Sequence, residues 1–284
     1  MISKFKILSY VKWFFSYLIV IAAVIFAVFP IYYIVVMSLS KIPALTDLSL
    51  SSLVPTPSSI TLSAFSDILF HSDFLIWLRN SLILGTSTVI IALIVALLAG
   101  IGLSRLSLPG KKALVVTIYI LTFFPFTAIA IPLFLMFASL HLINQFTGLI
   151  LAYSAGTAMF GAYMSKIFLD SVPKEYEEAA MVDGLSRSKA FFRVLLPMAK
   201  PIIAFLALLA FMGAYTDYAL ANVFLISNNK WTLTLGLYYL AVTKTNTLYN
   251  VFAAYSLLMG LPIFVVFIVF QRYLTQMYSM SGTK

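Results

Sequence analysis

The densest group of charged side chains in this sequence lies in one short segment, EYEEAAMVDGLSRSKAFFRVLLP, which runs from Glu175 to Pro197. The segment holds seven of the 27 charged residues of the chain (18 Lys and Arg plus nine Asp and Glu). Thiolate and cysteine–metal chemistry is excluded because the chain has no cysteine, and His71 and His141 lie too far apart in sequence for metal-ligand spacing. The question is why a mostly apolar chain places so much charge in one short segment.

The charged segment predicts two short helices separated by a glycine. Gly184 suits the left-handed position just past a helix end, and Ser186 can cap the second helix. Pro197 is expected to end that helix, before an apolar stretch begins. The first helix has start signals, and acidic side chains in its first turns where the helix dipole favours them, at Asp170, Ser171, Pro173, Glu175, Glu177 and Glu178.

The first of these helices has a nearly flat face, which Ala179 and Ala180 provide. A flat helix with acidic flanks can enter a groove on a partner protein. Glu178 would then be its charged anchor, best met by an arginine of that partner. The alternative is that the segment is a surface loop packed on its own helical bundle, and the residues leave both interpretations open.

The remainder of the chain is apolar enough for a membrane protein. Of its 284 residues 62% are hydrophobic and only 10% are charged, whereas about a quarter of a soluble domain is charged. A crossing needs about 20 apolar residues. The charge-free intervals therefore predict an all-α membrane protein of one domain over residues 1–284, with six transmembrane helices at about 13–37, 81–103, 113–140, 146–164, 201–224 and 249–270 and a charged loop over 170–200. The first span is longer than the core of a signal peptide and is expected to be retained.

The distribution of basic residues sets the expected orientation of these six spans. Fourteen of the 18 lysines and arginines fall on one side, and only Lys41, Arg79, Lys230 and Lys244 fall on the other. The positive-inside rule then places both termini in the cytoplasm. Topology thus explains the net charge of +9, and nucleic acid need not be a partner.

A segment outside the membrane, between the first two spans, predicts a short amphipathic helix. Leu62, Phe65, Ile68 and Leu69 fall at helical spacing there. This helix could lie on the bilayer surface or form a docking surface for an external protein.

Two groups of residues within the spans are candidates for lining a pore. Pro125 and Pro132 each remove a backbone hydrogen bond, so we expect them to bend the third span. Asp217 would cost about 2.5–3.5 kcal/mol at the bilayer centre. It should therefore face a pore, a partner helix or the outer interface, unless it only caps a helix break near the outer headgroups. Four tyrosines could offer ring faces and hydroxyls to a transported ligand, or belong to the interfacial belt: Tyr153, Tyr163, Tyr215 and Tyr218.

The charged segment resembles the EAA loop of bacterial ABC-importer permeases, from Glu178, Ala179 and Ala180 through Asp183 and Gly184 to the closing Leu-Pro at Pro197. The layout of spans and the C-terminal stretch from Trp231 onward also resemble the MalG-like permeases of the carbohydrate-uptake family. The match with that family's Trp-Asn-Glu/Asp-Phe stretch is incomplete around Asp217, because Tyr215 and Thr216 replace the Trp and Asn.

The resemblance implies a sugar importer of the bacterial cytoplasmic membrane, with maltodextrin-type oligosaccharides as the expected substrate and raffinose-type sugars as the alternative. In that family the EAA loop is a coupling helix that sits in a cleft of an ATPase subunit. The implied partners are a second, MalF-like permease, two ATPases that bind ATP and Mg, and an extracellular or periplasmic solute-binding protein. The loop from Leu225 to Asn250 resembles one that reaches into the binding protein, and the tail from Ser279 to Lys284 one that touches the ATPases.

No nucleotide site is expected on this chain. The segment PGKK at Pro109–Lys112 lacks the first glycine and the Ser or Thr of a phosphate-binding loop, so we expect another chain to hydrolyse ATP. No cofactor, catalytic residue or metal is expected on this chain. Two less favoured alternatives are an ion-coupled carrier using Asp217 and an intramembrane enzyme. The first lacks an internal repeat, and the second lacks a His/Asp/Glu cluster.

Overall fold

The computed structural model describes residues 4–41, 54, 56–243 and 248–281, and this part of the chain is all-α as predicted. Within it no strand forms, and Ser40 and Ile60 make an isolated antiparallel bridge. The first helices are α1 (Lys4–Ser38), α2 (Ser63–Phe70), α3 (Phe74–Arg105), α4 (Lys111–Thr122), α5 (Ala130–Ser139) and α6 (Phe146–Ser171). The later helices are α7 (Glu175–Val182), α8 (Arg187–Ala190), α9 (Leu196–Met198), α10 (Lys200–Thr216), α11 (Ala219–Phe224), α12 (Leu233–Thr243) and α13 (Tyr249–Ser281).

Among the described residues, three helical stretches are long and apolar enough to cross a membrane unaided, at Lys12–Ser38, Phe74–Arg105 and Tyr249–Thr275. A fourth candidate is the pair Arg187–Met198 and Lys200–Thr216, whose two parts meet at 71°. The predicted third span is interrupted between Thr122 and Ala130, and the predicted fifth span between Thr216 and Ala219.

The break in the third predicted span has a different form from the expected pair of proline kinks. The helix stops at Thr122, and a 3-10 turn over Phe126–Ile129 follows Pro125. Pro132 is the third residue of α5, where a backbone N–H has no partner within the helix in any case. Pro132 therefore fits the start of a new helix and does not bend an existing one.

The chain divides into two compact units, and the first comprises residues 1–72 and 239–258. Within it, α2 confirms the predicted short helix near residue 65, although the buried positions are Ala64 and Ile68 while Leu62 is 66% exposed. The side chain of Asn250 donates to the carbonyl of Ser40 over 3.2 Å. Most large apolar side chains of α1 are exposed, from Trp13 to Val35, as lipid-facing positions would be.

The second unit comprises residues 73–238 and 259–284 and is built around α3 and α6. These two helices approach closely because small residues line the contact, at Ala96, Gly100, Gly161 and Ser165. A Cβ on Gly161 would lie 2.7 Å from the Cβ of Ala96, and a Cβ on Gly100 would lie 2.4 Å from that of Ser165. Small residues at such contacts allow helix backbones to approach in a membrane.

We expect Gly100→Ala to destabilise the protein because the added methyl group must push α3 and α6 apart. Overpacking of this kind costs about 1–3 kcal/mol, which should lower the melting temperature in detergent by several degrees. The matched control is Gly102→Ala on the same helix, whose Cβ would lie 4.0 Å from Leu106 Cδ1, an ordinary van der Waals contact. Equal melting temperatures for the two variants would show that the α3–α6 contact accommodates the added methyl group without loss of stability.

Candidate functional site

The loop between α6 and α10 has the two-helix form that the sequence predicts. The first helix, α7, is followed by Gly184, whose φ is +89°. Ser186 then caps α8 by accepting a hydrogen bond from the backbone N–H of Lys189. Both the left-handed glycine and the serine cap are confirmed.

The second helical segment ends at Met198, one residue after Pro197, where the sequence predicts its end. A π-helical turn over Phe191–Leu195 joins α8 to α9, and Pro197 lies in the first turn of α9. The chain turns at Ala199, where α9 meets α10.

One side of the loop packs on the protein and the other is exposed. Ala180 is 7% exposed, and Leu195 packs against Leu169 and Val172. Val182, at the end of α7, is 87% exposed. The exposed residues also include Glu178, Ala179, Asp183, Gly184 and Pro197. The two interpretations of this segment are therefore compatible, since it packs on its own bundle and still presents a surface.

Arg105, the last residue of α3, joins the loop to two long helices, a link that sequence analysis missed. Its Nε donates to Glu177 Oε1 of α7 over 2.5 Å. Nη1 donates to the carbonyl of Leu169 over 2.9 Å and Nη2 to that of Val172 over 3.0 Å. The arginine side chain is only 6% exposed.

Asp170 extends this charged cluster. Its carboxylate accepts a hydrogen bond from Ser104 Oγ over 2.6 Å and another from Lys166. Burial alone would raise the pKa of Asp170, but the hydrogen bonds from Lys166 and Ser104 and the charges of Lys166 and Lys111 together lower it below its usual value. Asp170 is thus held as the anion at neutral pH.

Asp217 lies at the break between α10 and α11, where it caps the new helix. Its Oδ2 accepts the backbone N–H groups of Leu220 (3.0 Å) and Ala221 (3.1 Å). The hydroxyl of Tyr153 donates to the same oxygen over 2.8 Å. No hydrogen bond from the described residues reaches Oδ1. Asp217 therefore has the capping role that the sequence left open. All of its bonds to described residues use Oδ2, which leaves Oδ1 able to contact another group.

Asp217 and Tyr153 line a pocket of about 330 Å³ beside the break after α4. Aromatic and hydroxyl-bearing side chains form much of its wall, including Thr122, Phe124, Thr157 and Phe160. Gly156 and Gly213 also line it, and neither adds a side chain to fill the space. The pocket thus combines a carboxylate, hydroxyl groups and ring faces.

The other predicted lining residues lie elsewhere. Tyr215 is 0% exposed and its hydroxyl donates to the carbonyl of Met259, so it is part of the core. Tyr163 packs on the ring of Tyr119, and Tyr218 on that of Tyr238. Pro125 and Pro132 are exposed, and neither is among the residues that line the pocket.

A second site missed in the sequence holds the start of the loop after α11. Asn80 is fully buried and donates to the carbonyls of Asn229 and Trp231, each over 2.9 Å. The indole of Trp77 donates to the carbonyl of Asn228 over 2.9 Å. This part of the predicted binding-protein loop is therefore fixed to the start of α3.

We expect Asn80→Ala to leave these two carbonyls without their side-chain donor and to lower the free energy of unfolding by about 1–3 kcal/mol. Trp77 and Trp231 lie at the site, so intrinsic fluorescence during heating should report the lower melting temperature. The control is Asn222→Ala, because Asn222 is exposed. A native melting temperature for the Asn80 variant would rule out a stabilising role for these bonds.

Comparison with known proteins identifies the family. Residues 89–279 match the family described as binding-protein-dependent transport system inner membrane component. A galactooligosaccharide transport system permease of Bacillus subtilis is 27% identical over 100% of both chains. A maltodextrin transport system permease of the same species is 29% identical over 80% of this chain and 81% of its own length.

Solved structures agree with this assignment. A bacterial ABC transporter involved in the import of the acidic polysaccharide alginate contains a chain with a TM-score of 0.79 and 25% identity, covering 96% of this chain and 99% of its own. Together with the long apolar helices, these matches show that the protein is an integral membrane protein and belongs to the family of binding-protein-dependent transport system inner membrane components, the permease subunits of ABC importers.

Proposed function

We propose that this chain is a pore-forming subunit of an ATP-driven, binding-protein-dependent importer of oligosaccharides. The observation that carries the proposal is the short helix α7, which projects an exposed, partly apolar surface from the end of the long helices. Val182 is 87% exposed and Tyr176 53% exposed on this helix. Glu178 and Arg187 line a cleft of about 300 Å³ beside it.

In this proposal α7 is a coupling helix that enters a groove of an ATP-hydrolysing subunit. Glu178 is the outward anchor, and Ala179 allows close approach because it adds little bulk. Ala180 and Gly184 shape the helix and its end, while Asp183 and Pro197 complete the exposed surface. ATP and Mg belong to the partner ATPases, and this chain contributes no catalytic group. Closure of the ATPases would move the loop and, through it, the membrane helices.

The proposed topology has six crossings with both termini in the cytoplasm. The crossings are α1, α3, the interrupted pair α4–α5, α6, the interrupted pair α10–α11, and α13. The fourteen-to-four distribution of basic residues supports this orientation. It places α7 and α8 on the cytoplasmic side, where an ATPase can reach them. A second, MalF-like permease completes the pore, and a solute-binding protein docks outside.

Co-purification tests the assembly directly. The chain, extracted from its native membrane in mild detergent, should carry with it an ATPase, a second permease and a solute-binding protein identifiable by mass spectrometry. In proteoliposomes this complex should take up oligosaccharide only when ATP is supplied; galactooligosaccharides and maltodextrins are the first sugars to try, followed by raffinose-type sugars. Uptake by the chain alone without ATP would overturn the proposal and point to an ion-coupled carrier.

Glu178→Lys should separate ATP hydrolysis from transport. It places a cation against the arginine that the partner's groove is expected to provide, so the two side chains would repel each other. We expect uptake to fall at least tenfold while the protein remains folded in the membrane. Glu175→Lys is the matched control on the first turn of the same helix. Full uptake by the Glu178 variant would exclude the anchoring role.

We further propose that the pocket of Asp217 and Tyr153 lies on the substrate path. A carboxylate oxygen and nearby ring faces suit the hydroxyl and C–H surfaces of a sugar, and the pocket volume is near the lower end of ordinary ligand sites. A free carboxylate oxygen would repel acidic sugar units. We therefore infer a neutral oligosaccharide as the substrate, in contrast to the acidic alginate of the structural relative.

Asp217→Asn tests this role because an amide oxygen can still accept the bonds that cap α11. We expect a near-native melting temperature but about tenfold slower uptake at low sugar concentration, since a hydrogen bond to a charged group contributes about 1.5–3 kcal/mol. Thr216→Ala, one residue away and exposed, is the control. Unchanged uptake by Asp217→Asn would leave Asp217 with the capping role alone.

A further inference from the structure

Two neighbouring glutamates of α7 differ in exposure and in their contacts. Glu178 is exposed, whereas the side chain of Glu177 is only 18% exposed and is bonded to Arg105. Adjacent residues on a helix lie about 100° apart around its axis. The helix therefore turns one carboxylate outward and the other toward its own chain.

Arg105 is placed to fasten three elements at once. It ends α3, a helix of 32 residues, so it moves with that helix. Its guanidinium bonds the carbonyls of Leu169 and Val172 at the end of α6 and the carboxylate of Glu177 in α7. Ser104 Oγ accepts another of its N–H groups over 3.1 Å. A planar guanidinium can satisfy such a divergent set of acceptors, whereas a lysine ammonium cannot do so with the same geometry.

The charged side chains around Arg105 come from α4, α6, α7, α8 and the link between α6 and α7. Lys174, Glu178 and Arg187 line the same cleft as Arg105 and Glu177. On the other side Asp170 is engaged by Lys166 and Ser104, and Lys111 donates to the carbonyls of Ser104 and Leu106. A guanidinium only 6% exposed needs a counter-ion, and Glu177 is the carboxylate that it contacts directly.

We propose that Arg105 is the positioning residue that makes α7 move as one body with the cytoplasmic ends of α3 and α6. The inference rests on the proposed coupling role of α7 and adds the link by which its movement reaches the membrane helices. The movement of α7 would pass directly to α3 and α6, which lie outside the EAA loop in sequence. Without the Arg105 bonds, α7 can still bind an ATPase but shifts against α3.

Spin labels test the rigid link without requiring any partner. The chain has no cysteine, so labels can be placed uniquely at Leu98→Cys on α3 and Tyr176→Cys on α7, both exposed positions. In the isolated native chain we expect one narrow distance distribution. Glu177→Gln and Arg105→Ala should broaden it, and Glu175→Gln should not. Equal widths in all four proteins would overturn the proposal.

The assembled importer supplies the functional readout. The native complex should keep the same label distance with and without ATP trapped by vanadate, since α7 and α3 move together. Glu177→Gln should retain the ATPase subunits and hydrolyse ATP, but carry at least fivefold fewer sugar molecules per ATP; Arg105→Lys should behave likewise. A native distance that changes on ATP trapping, or a native sugar-to-ATP ratio in Glu177→Gln, would contradict the link.

The proposed function and the proposed role of Arg105 can be contradicted by different results. If Arg105→Ala does not fold, Glu177→Gln still decides the question, because it keeps the side-chain shape and the two carbonyl bonds of Arg105. If the native chain carries no ATPase, the proposed function fails whatever the label distances are. If the complex forms and transports but the link variants match the native protein, only the role of Arg105 is lost.

Discussion

In a chain this apolar, a buried helix end leaves backbone groups that lipid cannot bond, and a polar side chain can bond them instead. Four side chains in the second unit illustrate this. Asp217 bonds the first N–H groups of α11, and Asn80 bonds the carbonyls before α12. Asn144 accepts the N–H groups of Ile226 and Ser227, and Arg105 bonds the last carbonyls of α6. These breaks adjoin the proposed pocket, outer loop and coupling loop, so the polar residues that stabilise the fold also position the function.

The close packing of α3 on α6 gives this arrangement its rigid element. Glycine and alanine at the contact bring the helices together, and the cluster around Arg105 joins their C-terminal ends to α7. Movement imposed on α7 would therefore act on a pair of helices, and that pair carries both Tyr153 in the pocket and Asn80 at the opposite end. A single rigid pair can thus connect the loop with the pocket, as the proposed coupling of ATP hydrolysis to transport requires.

Sequence analysis predicted the local features well because they depend on neighbouring residues. The helix–glycine–helix form of the charged segment follows from Gly184 and Ser186, and both act within a few residues of their partners. The bonds of Arg105 to Glu177 and of Asn80 to Trp231 join residues 72 and 151 positions apart. No periodicity signals such contacts. The one available signal was the presence of a charged or amide side chain at the end of an apolar span. Tyr215 shows the reverse error, since a tyrosine in a polar stretch can be fully buried with its hydroxyl on a carbonyl.

The most direct test of the coupling role is to find what touches α7 in the working complex. A photoreactive side chain at Val182, which is 87% exposed, would be activated in native membranes and its product identified by mass spectrometry. If α7 couples to an ATPase, the Val182 position should cross-link to an ATP-hydrolysing subunit. The same group placed at Leu98, which lies within α3, should give little or no such product. Cross-linking of the Val182 position only to lipid or to this chain would contradict the coupling role.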